Sequence, residues 1–264
     1  MAEEMNETER YYREAINDPY KCMETVKKAP WSIRYAKEQT LELCMEAVQN
    51  DGEVLAYVKE QTPEICMAAV KNDGLALDYV KEQTPEICMA AVKNCGWALE
   101  CVKEQTSDIC MAAINSNGLA LKHVKEQTPE ICMAAVDSNG LALKNVKEQT
   151  PEICMAAVQE NFRAIRFVKE QTPEVCMAAV NESAKALQYI EHQTPEMFIA
   201  AMKHDSRAVN YISEEFAKSL INNVEKRISN RQAVKPEEYY AYQNLTAELE
   251  QINSEVDMNE DFEM

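Results

Sequence analysis

From Pro19 to Phe216, blocks of mainly apolar residues, separated by polar segments, recur every 22 residues. In the unit that begins at Pro63, the apolar block "PEICMAAVK" is followed by a polar turn with Gly74 and then by a second apolar block, "LALDYVKEQ". Apolar residues within each block recur three and four residues apart, as on one face of a helix, and no stretch shows the alternation of a strand. The pattern therefore predicts a repeated pair of short helices.

The ends of these helices carry recognisable signals. Thr62, Pro63 and Glu64 are typical of an N-cap, a first helical position and a first-turn acid. Gly74 predicts a left-handed residue that ends the first helix. The inward positions predicted for this unit are Ile65, Cys66, Ala69 and Val70 in the first helix and Ala76, Leu77 and Val80 in the second.

Helices of about two turns are unstable alone, so each pair must stack on its neighbours. We therefore predict an all-α fold, an α-solenoid of about nine 22-residue helix-turn-helix repeats with helical caps. The expected boundaries are an N-terminal capping helix in 1–18, repeats in 19–216, capping or coiled-coil-like helices in 217–256, and an acidic disordered tail in 257–264. Residues 236–256 either fold back onto the solenoid or form a homodimer.

The core "AAVKNDGLALDYV", recurring with small changes from Pro19 to about Tyr211, resembles an uncharacterised family of short two-helix repeats. The shared pattern is AV-x-N-x-G-x-A-L-x-x-V. The family occurs in bacterial and viral proteins and is classed as a domain of unknown function. The resemblance implies a helical array and no particular activity. Non-glycine residues occupy the glycine position at Pro30, Phe162, Ala184 and Ser206.

Composition excludes several classes of function. Five glycines are too few for a glycine-rich phosphate loop, and a net charge of -18 disfavours binding to nucleic-acid phosphates or anionic lipid. No apolar run approaches the roughly 18 residues of a membrane span. The acidic start, "MAEEMNETERYYREAINDP", resembles neither a signal nor a transit peptide.

Eight of the ten cysteines occupy one column of the repeat, each followed by a methionine. Cysteines a whole repeat apart cannot converge on a metal ion, so we expect small buried hydrophobes, no metal and no cofactor. Free thiols also suggest a reducing compartment, and thus a cytoplasmic location. The methionines are expected to fill gaps in the core, and a methionine-rich binding groove is the alternative. The near-invariant Lys-Glu-Gln-Thr column predicts a solvated edge with inter-repeat ion pairs, or else a recognition stripe.

We expect the functional residues at positions that differ between repeats, because a surface that binds a specific partner normally carries different side chains in each repeat. Three variable columns on the second helix form a ridge that is apolar at first and basic later. Its predicted partner-binding residues are Trp97, Lys122, His123, Lys144, Asn145, Arg163, Arg166, Phe167, Lys185, Tyr189 and Arg207. Alternatively, these cations only form local ion pairs, in which Lys122, Lys144 and Arg166 pair with Glu126, Glu148 and Glu170, each four residues later in the chain.

No catalytic motif is present, and the three histidines, in different columns, are expected at the surface. We therefore predict a non-enzymatic scaffold that binds a protein partner on this ridge. Two alternatives stay open. The acidic chain could mimic a nucleic acid and inhibit a nucleic-acid-binding protein, as an inhibitor from a virus or mobile element would. Less favoured is a ridge that reads RNA one repeat at a time.

Overall fold

The computed structural model describes residues 7–247 and divides the chain into two compact units, residues 1–138 and 139–264. Within the described residues all regular structure is helical, and no helix there is both long enough and apolar enough to cross a membrane. Nine α-helices, each followed by a 3₁₀ helix, make up the repeats in this part of the chain. The predicted α-solenoid is confirmed.

In the first unit the α-helices are α1 (Glu7–Ala15), α2 (Cys22–Lys28), α3 (Leu41–Asn50), α4 (Pro63–Asn72), α5 (Pro85–Asn94), α6 (Ser107–Ser116) and α7 (Pro129–Ser138). Its 3₁₀ helices are Pro30–Tyr35, Gly52–Tyr57, Gly74–Tyr79, Gly96–Cys101 and Gly118–His123. Within this unit, each α-helix from α2 to α6 contacts the α-helix that follows it, and each 3₁₀ helix from Pro30–Tyr35 to Gly96–Cys101 contacts the next 3₁₀ helix.

The second unit has the 3₁₀ helices Gly140–Asn145, Phe162–Phe167, Ala184–Tyr189 and Ser206–Tyr211. Its α-helices are α8 (Pro151–Glu160), α9 (Pro173–Glu182), α10 (Pro195–His204) and α11 (Glu214–Ser229), and residues 236–247 are also helical. The same neighbour-to-neighbour contacts join α8 to α9 and α9 to α10.

The start of each repeat follows the predicted capping chemistry. Thr62 lies in extended backbone, and its Oγ1 accepts a hydrogen bond from the backbone N–H of Ile65, 3.3 Å away. Pro63 is the first helical residue, where the missing N–H leaves no intrahelical bond unmade. The inward positions predicted in this unit are all buried, from Ile65 to Val80.

The second element differs from the prediction because it is a six-residue 3₁₀ helix. Gly74–Tyr79 ends before the Lys-Glu-Gln segment that the sequence pattern had placed within the helix. The Asp73 carboxylate accepts a hydrogen bond from the Leu75 N–H at 2.8 Å and so begins the tight turn. Val80 is extended, which directs the chain towards the next threonine cap. Over six residues, periods of 3.0 and 3.6 place the apolar positions too similarly to be distinguished in a sequence.

The predicted left-handed glycine is wrong, since within the described part of the chain no glycine has a positive φ. A Cβ on Gly74 would lie 2.5 Å from the carbonyl oxygen of Ala91 in the next repeat. The Gly74 N–H donates to Asn94 Oδ1 at 3.1 Å, and Asn94 Nδ2 donates to the Lys71 carbonyl at 2.8 Å. Glycine is needed here because the neighbouring α-helix comes so close.

The methionine column does not fill the core, and this prediction is also wrong. The residues are half-buried in every repeat that carries them, from Met23 to Met177. The adjacent alanine, for example Ala68 after Met67, is half-buried as well. In α4 the buried side chains are Ile65, Cys66, Ala69 and Val70, and Met67 and Ala68 lie on the other side of the helix. The outer side of each α-helix from α4 to α9 therefore presents Met and Ala beside a first-turn acid such as Glu64.

Additional helices pack near the two ends of the described chain. In the first unit, α1 contacts the first repeat, and Arg34 pairs with Glu9 at 2.7 Å. In the second unit, Arg227 of α11 pairs with Glu238 at 3.0 Å, and Ala241 and Leu245 are buried. The rest of the predicted coiled-coil seam, the tail in 257–264 and residues 1–6 lie outside the described residues.

Candidate partner-binding surfaces

The Lys-Glu-Gln-Thr column is a hydrogen-bonded link between repeats. Gln61 Nε2 donates to the carbonyl oxygens of Leu55 (3.2 Å) and Tyr79 (3.0 Å), while its Oε1 accepts from the Lys81 N–H (3.0 Å). One glutamine thus joins its own 3₁₀ helix to the backbone of the following repeat. The same pattern recurs at Gln83, Gln105 and Gln171.

The ion pairs predicted for this column are not what joins the repeats. Lys81 Nζ donates to the Lys59 carbonyl at 2.9 Å, and Lys103 Nζ to the Lys81 carbonyl at 3.2 Å. Among the described residues, none of these three lysines forms an ion pair. The column repeats because its amides and ammonium groups satisfy backbone carbonyls, which supports a structural role.

Four exposed apolar side chains lie on neighbouring 3₁₀ helices of the first unit. Tyr57 is 41% exposed, Leu75 43%, Tyr79 39% and Trp97 37%, in three consecutive repeats. We call this surface the first-unit ridge. The carboxylates of Glu53, Asp78 and Glu100 are exposed beside these side chains. The surface combines apolar area with negative charge.

Contacts across neighbouring repeats define the geometry of this ridge. The Arg34 guanidinium lies over the Tyr57 ring at 5.8 Å, 23 residues along the chain. With the same separation, Glu100 Oε2 lies 3.7 Å from His123 Nε2. The middle ridge column of one repeat therefore contacts the third column of the next.

The second-unit ridge carries exposed cations. These are Lys144, Arg163, Arg166, Lys185 and Arg207. The Arg163 guanidinium lies 4.8 Å from the centre of the Phe162 ring, and that of Arg166 lies 4.6 Å from the centre of the Phe167 ring. Arg207 pairs with Asp205 at 3.0 Å. The first-unit and second-unit ridges therefore differ in charge.

The alternative interpretation of the ridge cations, local pairing with glutamates, is not supported in the described part of the chain. In the described residues no ion pair joins Lys122, Lys144 or Arg166 to the glutamate four residues on. The reason is that the 3₁₀ helix ends one residue after each cation. Beyond that point, residues four apart no longer share a helical face.

The predicted binding residues differ in accessibility. Trp97 and the cations Lys122, Lys144, Arg163, Arg166, Lys185 and Arg207 are exposed, whereas His123, Asn145, Phe167 and Tyr189 are half-buried. The expectation of a surface histidine is wrong for His123. Its side chain is only 10% exposed, and its ring lies 5.5 Å from that of Trp97 in an edge-on contact. His192 and His204 are exposed, as predicted.

Sequence reasoning left Glu53, Ala56, Leu75, Asp78 and Tyr79 out of the predicted site. They occupy the same three columns as the predicted residues, so their positions were visible in the 22-residue register. Their importance follows from exposure and from the Arg34 contact, and both depend on how the repeats stack.

All ten cysteines are free thiols, and seven of the eight in the repeat column are buried. Burial raises the pKa of the Cys44, Cys66 and Cys88 thiols, and raises that of Cys176 from 9.0 to about 11. Within residues 7–247, no group of three or more His, Cys, Asp or Glu side chains could hold a metal ion. These thiols belong to the core.

Alkaline pH is expected to destabilise the protein through these thiols. Burial raises the folded-state pKa of these thiols above the unfolded value, so their contribution to stability is complete below about pH 9 and is lost as the pH rises further, up to about 11 for Cys176. Each thiol removes at most about 1.4 kcal/mol of unfolding free energy per pH unit in this window. Urea midpoints at pH 7.5 and pH 10 measure the loss. It should be smaller in Cys88→Ala/Cys110→Ala, and an equal loss would contradict the assignment.

Comparison with known families agrees with the repeat architecture. The model of a domain of unknown function (DUF4116) matches residues 40–84, 62–106 and 84–128, three overlapping matches that advance by one repeat each. The resemblance to an uncharacterised repeat family is confirmed over this part of the chain. No curated protein and no solved structure matches the chain.

Proposed function

We propose that this protein is a non-enzymatic helical-repeat scaffold that binds a protein partner on its 3₁₀-helix ridge. The observation that carries the proposal is the group of exposed apolar side chains on the first-unit ridge, Tyr57, Leu75, Tyr79 and Trp97. Aromatic residues are enriched at the centres of protein interfaces, where they contribute much of the binding energy.

The scaffold favours such binding because it holds the ridge in place. Ala76 and Leu77 are buried between the exposed positions of one 3₁₀ helix, and Ala98 and Leu99 do the same in the next. Gln83 bonds to the Cys101 carbonyl at 2.9 Å and so connects the two repeats. A surface fixed in this way loses little conformational entropy when a partner binds.

Removing ridge aromatics is expected to weaken partner capture while the fold is retained. Tyr79→Ala and Trp97→Ala should each reduce affinity about tenfold or more, the typical effect of truncating a central interface aromatic. Capture from the native cell, quantified by mass spectrometry against wild type, measures the effect. Circular dichroism verifies folding.

Tyr20→Ala is the matched control, because Tyr20 is 96% exposed and lies outside the ridge. It should leave capture unchanged. For the second-unit ridge, Arg166→Ala and Phe167→Ala are tested in the same way. A captured partner that survives all four ridge substitutions would place the binding surface elsewhere.

Mimicry of a nucleic acid is the second candidate, favoured by one observation on the α-helices. Every repeat from α3 to α10 carries an exposed acid in the first turn, such as Glu86 and Glu130. Hydrogen bonds from the backbone N–H and the capping threonine lower the pKa of both carboxyls, so they stay ionised. If mimicry is the function, duplex DNA or RNA added to the capture experiment competes for the partner, and binding falls steeply with salt.

A further inference from the structure

The first-unit ridge contains its own example of a bound guanidinium. The Arg34 side chain lies over the Tyr35 ring at 4.6 Å and over the Tyr57 ring at 5.8 Å, and its Nη2 donates to the Glu9 carboxylate at 2.7 Å. Aromatic faces and a carboxylate together satisfy a planar cation, through cation–π attraction and a charge-assisted hydrogen bond.

In the next repeat, the corresponding aromatic and acidic residues have no arginine beside them. Ala56 takes the column position of Arg34, and Tyr79 that of Tyr57. The backbone keeps the same register, since Gln39 Nε2 and Gln61 Nε2 bond to the Tyr57 and Tyr79 carbonyls at 3.0 Å each. With only a methyl group from Ala56 at this position, the exposed Tyr79 ring has room for a guanidinium supplied from outside.

The charges around Tyr79 favour a cation. Glu53 lies three residues before Ala56 on the same 3₁₀ helix, and Asp78 is adjacent to Tyr79. Both carboxylates are exposed, and among the described residues neither forms an ion pair. They can accept hydrogen bonds from an external guanidinium, as the Glu9 carboxylate does from Arg34. Leu75 adds an exposed apolar surface next to them.

We propose that Glu53, Ala56, Asp78 and Tyr79 form a recognition site for an arginine side chain of the protein partner. The proposal rests on the proposed function and specifies what the ridge recognises. Arginine fits better than lysine because its planar guanidinium stacks on an aromatic ring while it donates to carboxylates at its edge. The partner is then a protein that presents arginine beside an apolar residue.

The direct test is to occupy the site with an arginine introduced into the chain at position 56. Ala56→Arg repeats the sequence arrangement of Arg34 one repeat later, at an exposed position whose column already accepts Arg34 and Arg166. The probe is a fluorescein-labelled pentapeptide, Ala-Leu-Arg-Leu-Ala, with Lys and citrulline versions, followed by fluorescence anisotropy. Ala56→Arg should weaken binding of the arginine peptide about tenfold, and the citrulline peptide should bind wild type about tenfold more weakly.

Matched variants separate the site from the overall acidity of the chain. Glu82→Gln changes the charge by the same amount as Ala56→Arg but lies in the Lys-Glu-Gln-Thr column, so it should alter binding less than twofold. Ala56→Gln adds length without charge and should weaken binding less than Ala56→Arg. Asp78→Asn should weaken it severalfold. Equal binding by wild type and Ala56→Arg, equal binding of the arginine and citrulline peptides, or no binding by wild type at millimolar concentration would overturn the proposal.

Ala56→Arg in the partner-capture experiment separates arginine recognition from partner binding on the ridge as a whole. If capture depends on Tyr79 and Trp97 but is unchanged by Ala56→Arg, the ridge binds the partner and arginine recognition is wrong. If capture is insensitive to every ridge substitution, the proposed function itself fails. Loss of capture in Ala56→Arg but not in Glu82→Gln supports both.

Discussion

Gln83→Leu is expected to lower the free energy of unfolding by about 3 kcal/mol, because this glutamine joins two repeats through hydrogen bonds. The side chain donates to the Cys101 carbonyl at 2.9 Å and accepts from the Lys103 N–H at 3.0 Å. A third, longer bond of 3.4 Å reaches the Leu77 carbonyl of its own repeat. Leucine of similar size removes these bonds, together with a 3.7 Å hydrogen bond from Cys88 Sγ to the glutamine oxygen, and leaves the Cys101 carbonyl and the Lys103 N–H without their glutamine partner. The Leu77 carbonyl keeps its hydrogen bond from the Val80 N–H.

The adjacent Glu82 provides the control for this substitution. Glu82 is exposed, so Glu82→Leu should change stability by less than about 0.5 kcal/mol. Urea unfolding followed by circular dichroism measures both variants. Equal midpoints for Gln83→Leu and Glu82→Leu would show that the glutamine links contribute nothing to stability and that the Lys-Glu-Gln-Thr column repeats for another reason.

Gly74→Ala is expected to destabilise the protein by about 2 kcal/mol through steric overlap with the next repeat. The added Cβ would lie 2.5 Å from the Ala91 carbonyl oxygen and 2.8 Å from the Cys95 Cβ. Neither atom is the flexible end of a side chain, so the α-helix itself must move. At a position with ordinary φ and free space, the same change would stabilise by about 0.4–1 kcal/mol, because it restricts the unfolded chain.

The second unit contains the reverse experiment, since Ala184 occupies the same column and is buried. Ala184→Gly should cost only about 0.5–1 kcal/mol, from the greater flexibility of glycine in the unfolded chain. The two substitutions thus act through different states, Gly74→Ala through the folded state and Ala184→Gly through the unfolded one. If Gly74→Ala instead raised the free energy of unfolding, the next α-helix would be able to move away from position 74 without loss of stability, which would contradict the prediction.

Much of the site was present in the sequence as columns, but its chemistry was not. The ridge columns follow from the 22-residue register, and Trp97 and Arg166 were identified as exposed candidates. The proposed arginine site at Tyr79 could not be predicted from the sequence. It was recognised by comparison with the contact between Arg34 and the Tyr57 ring, 23 residues away along the chain. Such a contact depends on the rise and twist between repeats, for which a linear pattern contains no measurement.

The 22-residue pattern was sufficient to predict the repeat length, the helical class, the threonine caps and the buried positions between Ile65 and Val80. These are local properties, set by hydrophobic period and capping chemistry within one unit. Four further features became evident only in the stacked repeats: the second element is a 3₁₀ helix, Gly74 allows the next α-helix to come close, the methionines are half-buried, and Gln83 joins two repeats. Each of these depends on the distance between one repeat and the next, which the stacked backbone sets and no single 22-residue unit contains.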